Sequence, residues 1–98
     1  MKVITIHEEN HGLIGTATTM NAAFHFLIEY DWLTPAFDLY DEATGAWCTL
    51  ADVFESKGIE PTKQNILAWA MEFADDWQMW DGAFYFNEEF VYSEEDWA

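Results

Sequence analysis

Nineteen aspartates and glutamates stand against three lysines (Lys2, Lys57 and Lys63) and no arginine in 98 residues, a formal net charge of −16. Duplex DNA carries one charge per roughly 1.7 Å of axis, so sixteen phosphates span about 27 Å. A compact chain of this length has a radius of gyration near ~13 Å and a diameter of roughly 30 Å. The protein therefore carries about as much negative charge across its width as the same length of DNA. Self-repulsion at that density opposes folding, and solubility alone is met by a net charge of about 2–8. The excess argues against binding nucleic acid directly or an anionic membrane, and it points to a basic partner.

The force that opposes this repulsion lies in the apolar half of the chain. Hydrophobic residues make up 51% of it and aromatic residues 18%, with eight Phe, four Tyr and six Trp. This composition excludes a disordered acidic tail, and the length is that of a single domain spanning residues 1–98. No apolar run approaches the roughly 18–20 residues of a membrane span. The segment MKVITIHEEN lacks the long apolar stretch of a signal peptide, so a cytoplasmic protein is expected. The single cysteine, Cys48, allows no internal disulfide and fits a reducing compartment.

Periodicity predicts an α+β domain of order β-β-α-β-β-α-α-β, a small antiparallel sheet with helices on one face. Residues 2–7 (KVITIH) and 13–18 (LIGTAT) read as strands joined by the turn E-E-N-H-G, with Gly15 a bulge candidate. Thr18 or Thr19 caps a helix over about 20–31, with Ala22, Ala23, Phe26, Leu27 and Tyr30 as its buried stripe, and Thr34-Pro35 stops it. Residues 37–41 and 46–49 form a hairpin closed near Gly45. Thr49 and Asp52 form a capping box for a short helix ending at Gly58. Glu60-Pro61-Thr62 opens the longest helix, about 61–80, with Ile66, Trp69 or Ala70, Phe73, Ala74, Trp77 and Trp80 along one stripe, broken by Asp81-Gly82. Residues 83–92 read as a final strand, or as a hairpin turning at Asn87-Glu88, followed by a polar tail.

One catalytic signature stands out. His7, Glu8 and His11 spell H-E-x-x-H, in which two histidines bind zinc and the glutamate acts as general base. The chemistry requires a helix, which places positions i and i+4 on one face. Here V-I-T-I precedes the motif and G-L-I-G follows it, a setting that opposes a helix. In an extended strand the histidines stand about 13 Å apart, too far for one ion. The reading favoured is a polar β-turn carrying two surface histidines. Carboxylate pairs of glycosidase or nuclease type lack an apolar pocket or a Mg²⁺ motif. Cys48, between Trp47 and Thr49, reads as a small core residue, and His25, among Phe24, Phe26 and Leu27, as a packed or rim histidine. No residue is assigned a catalytic role, and neither a cofactor nor a metal is expected; the chain does not read as an enzyme.

The stretch 72–97 holds nine acids, eight aromatics beyond Phe73 and no positive charge. A merely solvated face normally mixes lysine with glutamate at i,i+4 spacing. Alternate residues along a strand lie about 6.6 Å apart, close to the step between phosphates on one DNA strand. Asp75, Asp76, Asp81, Glu88, Glu89, Glu94, Glu95 and Asp96 are therefore the candidate partner-binding acids. Trp80, Tyr92 and Trp97 are candidate aromatic anchors wherever they are exposed.

Residues 3–33 carry an E-E-N-H-G-x-I-G-x-A run followed by F-L-I-x-x-x-W-L. This pattern resembles small acidic proteins of phages and prophages of Gram-positive bacteria, over about a third of the chain. The resemblance supplies no catalytic residues. The composition is also similar to that of phage DNA mimics: anti-restriction proteins, inhibitors of uracil-DNA glycosylase and anti-CRISPR proteins. Together these resemblances imply a phage or mobile-element inhibitor in the cytoplasm of a bacterial host. It would occupy the basic channel of a nucleic-acid-binding defence protein, an RNA-guided nuclease first and a restriction enzyme second. The alternative is a non-catalytic interaction or regulatory module bound through an aromatic patch.

Overall fold

A computed structural model describes residues 2–41, 44–75, 80 and 83–90, and the backbone alone at 41, 89 and 90. The element order is β1 (Lys2–Glu8), β2 (Gly12–Ala17), α1 (Met20–Glu29), β3 (Asp38–Asp41), β4 (Ala46–Thr49), α2 (Leu50–Ser56), α3 (Lys63–Glu72) and β5 (Phe84–Phe90). The α+β class and the order of elements agree with the sequence reading. The strands divide between two sheets: a three-stranded antiparallel sheet of order β2-β1-β5 and a separate two-stranded hairpin, β3-β4. No helix among the described residues is long and apolar enough to cross a membrane.

The β-branched run of β1 takes the central position, paired with β2 on one side and β5 on the other. Alternation turns Ile4 and Ile6 inward, and the register aligns Ile6 with Phe86 and Glu8 with Phe84. The ladder with β2 slips between Ile6 and His7, which pair with Gly15 and Leu13, so Ile14 is the extra residue of a bulge. Gly15 beside it has a further reason to lack a side chain: a Cβ there would stand 2.6 Å from the Phe26 ring. β5 runs continuously from Phe84 to Phe90, without a turn at Asn87-Glu88.

α1 closes the inner face of this sheet. Its buried residues are Ala23, Phe24, Leu27 and Ile28. The helix is thus turned away from the predicted stripe: Ala22 is exposed, Phe26 is half-buried against Gly15, and Tyr30 is 69% exposed. Phe24 packs against Trp80 and the β5 residue Phe86, and Ile28 lines the groove between α1 and α3. Full burial of each such side chain contributes roughly 1.5–3 kcal/mol.

The helix ends follow local chemistry. Thr19 accepts from the Ala22 amide at 3.1 Å at the start of α1. For α2, the Thr49 hydroxyl accepts from the Asp52 amide and the Asp52 carboxylate accepts from the Thr49 amide at 3.0 Å, the predicted box. The first two α2 amides, Leu50 and Ala51, donate to the carbonyls of Phe37 and Pro35. For α3, Thr62 is the cap, accepting from the Asn65 amide at 3.1 Å. Pro61 therefore lies outside the helix.

α3 stops at Glu72, well short of the predicted residue 80. Acids crowd its carbonyl end (Glu72, Asp75), where the macrodipole disfavours negative charge. Phe73 caps it, and the Trp80 indole N–H donates to the Phe73 carbonyl at 2.9 Å, satisfying one of the orphaned acceptors. Trp80 itself is 1% exposed and packs against Phe24, Phe37, Trp69 and Phe84 at centroid distances of 5.0–6.4 Å.

α1 and α2 end on the same backbone motif. In α2, Gly58 takes a left-handed φ of +67°, its amide donates to Glu55, and the Ile59 amide donates to the Phe54 carbonyl. In α1, Asp31 occupies the equivalent place at φ +61°, with amides of Asp31 and Trp32 donating to Ile28 and Leu27. A residue with a Cβ is strained there, and the Asp31 carboxylate opposes the helix dipole. Asp31→Gly is expected to stabilise the fold by about 1 kcal/mol. Urea unfolding checks this, and an unchanged or lower midpoint would contradict it.

Candidate partner-binding surface

The H-E-x-x-H letters run off the end of β1 into the turn, so no helix aligns them. His7 lies on the outer face of the sheet, stacked on Tyr85 (centroids 4.6 Å apart, planes within 2°), with Nε2 3.0 Å from the Thr5 hydroxyl. The register puts Glu8 on the opposite face, level with Phe84. Its carboxylate accepts from His11 Nδ1 and from the Asn10 amide, which closes the turn. His11 is otherwise exposed, edge-on to Trp32. Among the described residues no group of three or more His, Cys, Asp or Glu side chains is placed to hold a metal ion. Glu8 is held below its ordinary carboxylate range, first by the hydrogen bond from His11.

The remaining single residues are equally local in their contacts. Cys48 is half-buried on β4 opposite Leu39. His25 is exposed on the rim of a shallow groove of about 280 Å³ between α1 and α3, beside Glu29 and Lys63.

Carboxylates cover the outside. Glu9, Glu29, Asp31, Asp38, Asp52, Glu55, Glu60, Glu72, Asp75 and Glu88 are all exposed. Two lysines bridge to this set: Lys63 lies 3.7 Å from Glu29 and Lys2 lies 3.0 Å from Glu88. Exposed pairs of this kind contribute about 0–1 kcal/mol, so they neutralise little.

Of the predicted acids, Asp75 is exposed directly after α3 and Glu88 is exposed on β5. Lys2 bridges Glu88 across the antiparallel β1–β5 register, a neighbour that i,i+4 spacing does not reveal. Glu89 lies on β5 with its backbone opposite Val3. Asp76, Asp81, Glu94, Glu95, Asp96, Tyr92 and Trp97 fall outside the described residues. Trp80 is corrected outright: at 1% exposure it is the centre of the aromatic core and is not available as an anchor.

The exposed aromatics lie elsewhere. Tyr40 is 53% exposed and Trp47 68% exposed, paired across the β3–β4 ladder with ring centroids 5.1 Å apart. The signal was present in D-L-Y-D and A-W-C-T: once Leu39 and Cys48 face inward, alternation turns Tyr40 and Trp47 outward. The sequence reading also concentrated on residues 72–97, whereas Asp38, Asp52, Glu55 and Glu60 carry the acidic surface into the middle of the chain. A comparison of the chain with family models, with curated proteins and with solved structures returned no match.

Asp52 offers a test of how these carboxylates act locally. Its carboxyl is held below the ordinary value of 3.8, first by the Thr49 amide and then by the Thr49 hydroxyl. A lowered folded-state value means the folded protein binds fewer protons than the unfolded chain. The stability contributed is therefore present above about pH 4 and is lost as pH falls through the folded-state value. Asp52→Asn should lower the thermal midpoint at pH 7, and the gap from the wild type should shrink as pH is taken below 3.8. A gap that stays constant with pH would contradict the capping role.

Proposed function

We propose that this chain is an inhibitor from a phage or mobile element that occupies the basic nucleic-acid channel of a host defence protein. The favoured target is an RNA-guided nuclease, with a restriction enzyme second. Supporting this above all is the net charge of −16 combined with the exposure of its carboxylates over both sheets and all three helices. Such a surface presents to arginine and lysine what the phosphate backbone presents: closely spaced anionic oxygens with few internal counter-charges. Each carboxylate accepts charge-assisted hydrogen bonds from the basic groups that normally hold phosphates, and complementary fields speed the encounter. The phage-like pattern in residues 3–33 supports the same class of role.

A second reading, a non-mimetic interaction module, is favoured by one observation, the exposed Tyr40–Trp47 pair. Salt separates the two. Mimicry rests on screened charge–charge attraction, so affinity falls steeply between about 50 and 500 mM NaCl, as the Debye length drops from roughly 14 to 4 Å. An aromatic-anchored interface changes little over that range.

The test is capture from a bacterial lysate at low salt on the immobilised protein. A basic nucleic-acid-binding protein should be retained, released by high salt and displaced by duplex DNA. Joint neutralisation of Asp75, Asp76, Glu88 and Glu89 should weaken its retention. Retention of a partner indifferent to salt and to DNA would overturn the mimic.

A further inference from the structure

The β3–β4 hairpin is a sheet separate from the three-stranded one, and its outward face carries an exposed aromatic pair, with Trp47 more open to solvent than Tyr85 on the larger sheet. Tyr40 pairs with Trp47 across the ladder, and Asp38 pairs with Thr49 on the same face. Trp47 and Thr49 are two residues apart, so their side chains rise about 6.6 Å from one another. The Asp52 carboxylate lies against this end of the strand, 3.0 Å from the Thr49 amide. The backbone thus sets an exposed aromatic pair beside two carboxylates, those of Asp38 and Asp52. An aromatic cross-strand pair helps to hold a hairpin together. That role needs only the contact between the rings, and it leaves Trp47 68% open to solvent.

We infer that the Tyr40–Trp47 pair is a clamp for an arginine side chain of a basic partner, with Asp38 and Asp52 as its hydrogen-bond acceptors. A guanidinium stacks flat on an indole, is weakly hydrated, and keeps its N–H groups at the ring edge free to donate to carboxylates. Lysine offers a strongly hydrated point charge with no stacking face. The occupant follows from charge. The chain has no arginine of its own to fill the site. A second copy, also carrying −16, is repelled. An arginine-rich surface is attracted by the whole field and then fixed by this face, which lies in the middle of the sequence and not among the C-terminal acids. The inference deepens the proposed mimicry and rests on it: the carboxylates supply attraction, and the clamp supplies preference for arginine over lysine.

The experiment measures binding of an oligo-arginine peptide and an oligo-lysine peptide of equal length to the full chain at low salt, followed by calorimetry. The wild type should bind the arginine peptide more tightly by roughly two- to fivefold, given the strength of stacking at an exposed ring. Trp47→Ala should abolish that preference while leaving the lysine peptide's affinity unchanged, and Trp47→Phe, which keeps an aromatic ring, should retain part of it. Trp47 is exposed, and equal thermal midpoints for the three proteins establish that the fold is intact. Equal affinities in the wild type, or a preference that survives Trp47→Ala, would overturn the clamp and leave the acidic-surface reading standing. Failure of both peptides to bind would overturn the acidic-surface reading, and the clamp with it.

Discussion

Trp80 sits where four parts of the chain converge in one aromatic cluster. Its ring touches Phe24 of α1, Phe37 of the segment before β3, Trp69 of α3 and Phe84 of β5. Its indole N–H ends α3 by taking the Phe73 carbonyl. Truncating a buried tryptophan of this kind costs roughly 3–5 kcal/mol, a large share of the 5–15 kcal/mol by which domains are stable. The same residue thus joins the packing of the helices on the sheet to the point at which α3 stops.

An aromatic core of this density explains how the surface can be so one-sided. The interior contains Phe24, Phe54, Trp69, Trp80 and Phe84 together with aliphatic residues of β1 and of α1, α2 and α3, and Thr5 is the one polar residue buried among the described residues. No ion pair is needed inside. Among the described residues the carboxylates have few structural duties beyond Glu8 in its turn, Asp52 in its cap and the exposed bridges of Glu29 and Glu88. Stability and charge are carried by separate sets of residues, which allows the charge to reach a level that self-repulsion would otherwise forbid.

Much of this was legible because the deciding signals lie within one turn of the residues they act on. Thr19, the Thr49–Asp52 box and Gly58 set helix ends through bonds spanning three or five residues, and the run E-E-N-H-G set the first hairpin. The misreadings came from tertiary contacts. The apolar spacing at 66, 69, 73 and 80 continues the helical period past Glu72, yet α3 ends there and Trp80 joins the core with its indole N–H on the Phe73 carbonyl. The rotation of α1 goes with contacts between distant elements, Phe24 on Trp80 and Phe86 and the Phe26 ring over Gly15. Asp31 in a left-handed cap gave no signal because aspartate there is strained, unlike Gly58 in the equivalent position. For the site, attention to the acid-rich C-terminal third placed the aromatic anchor at Trp80. Simple alternation in β3 and β4 places the exposed pair at Tyr40 and Trp47.

The carboxylates form a surface charge, largely unneutralised, that the apolar core holds against its own repulsion. The direct measurement is the thermal unfolding midpoint of the isolated protein as NaCl is raised from about 10 to 200 mM, over which the Debye length falls from roughly 30 to 7 Å. The midpoint should rise steadily, because screening relieves repulsion that is stronger in the folded chain than in the expanded one. A midpoint that stays flat or falls would mean that the charge is already balanced within the fold, and would contradict the account.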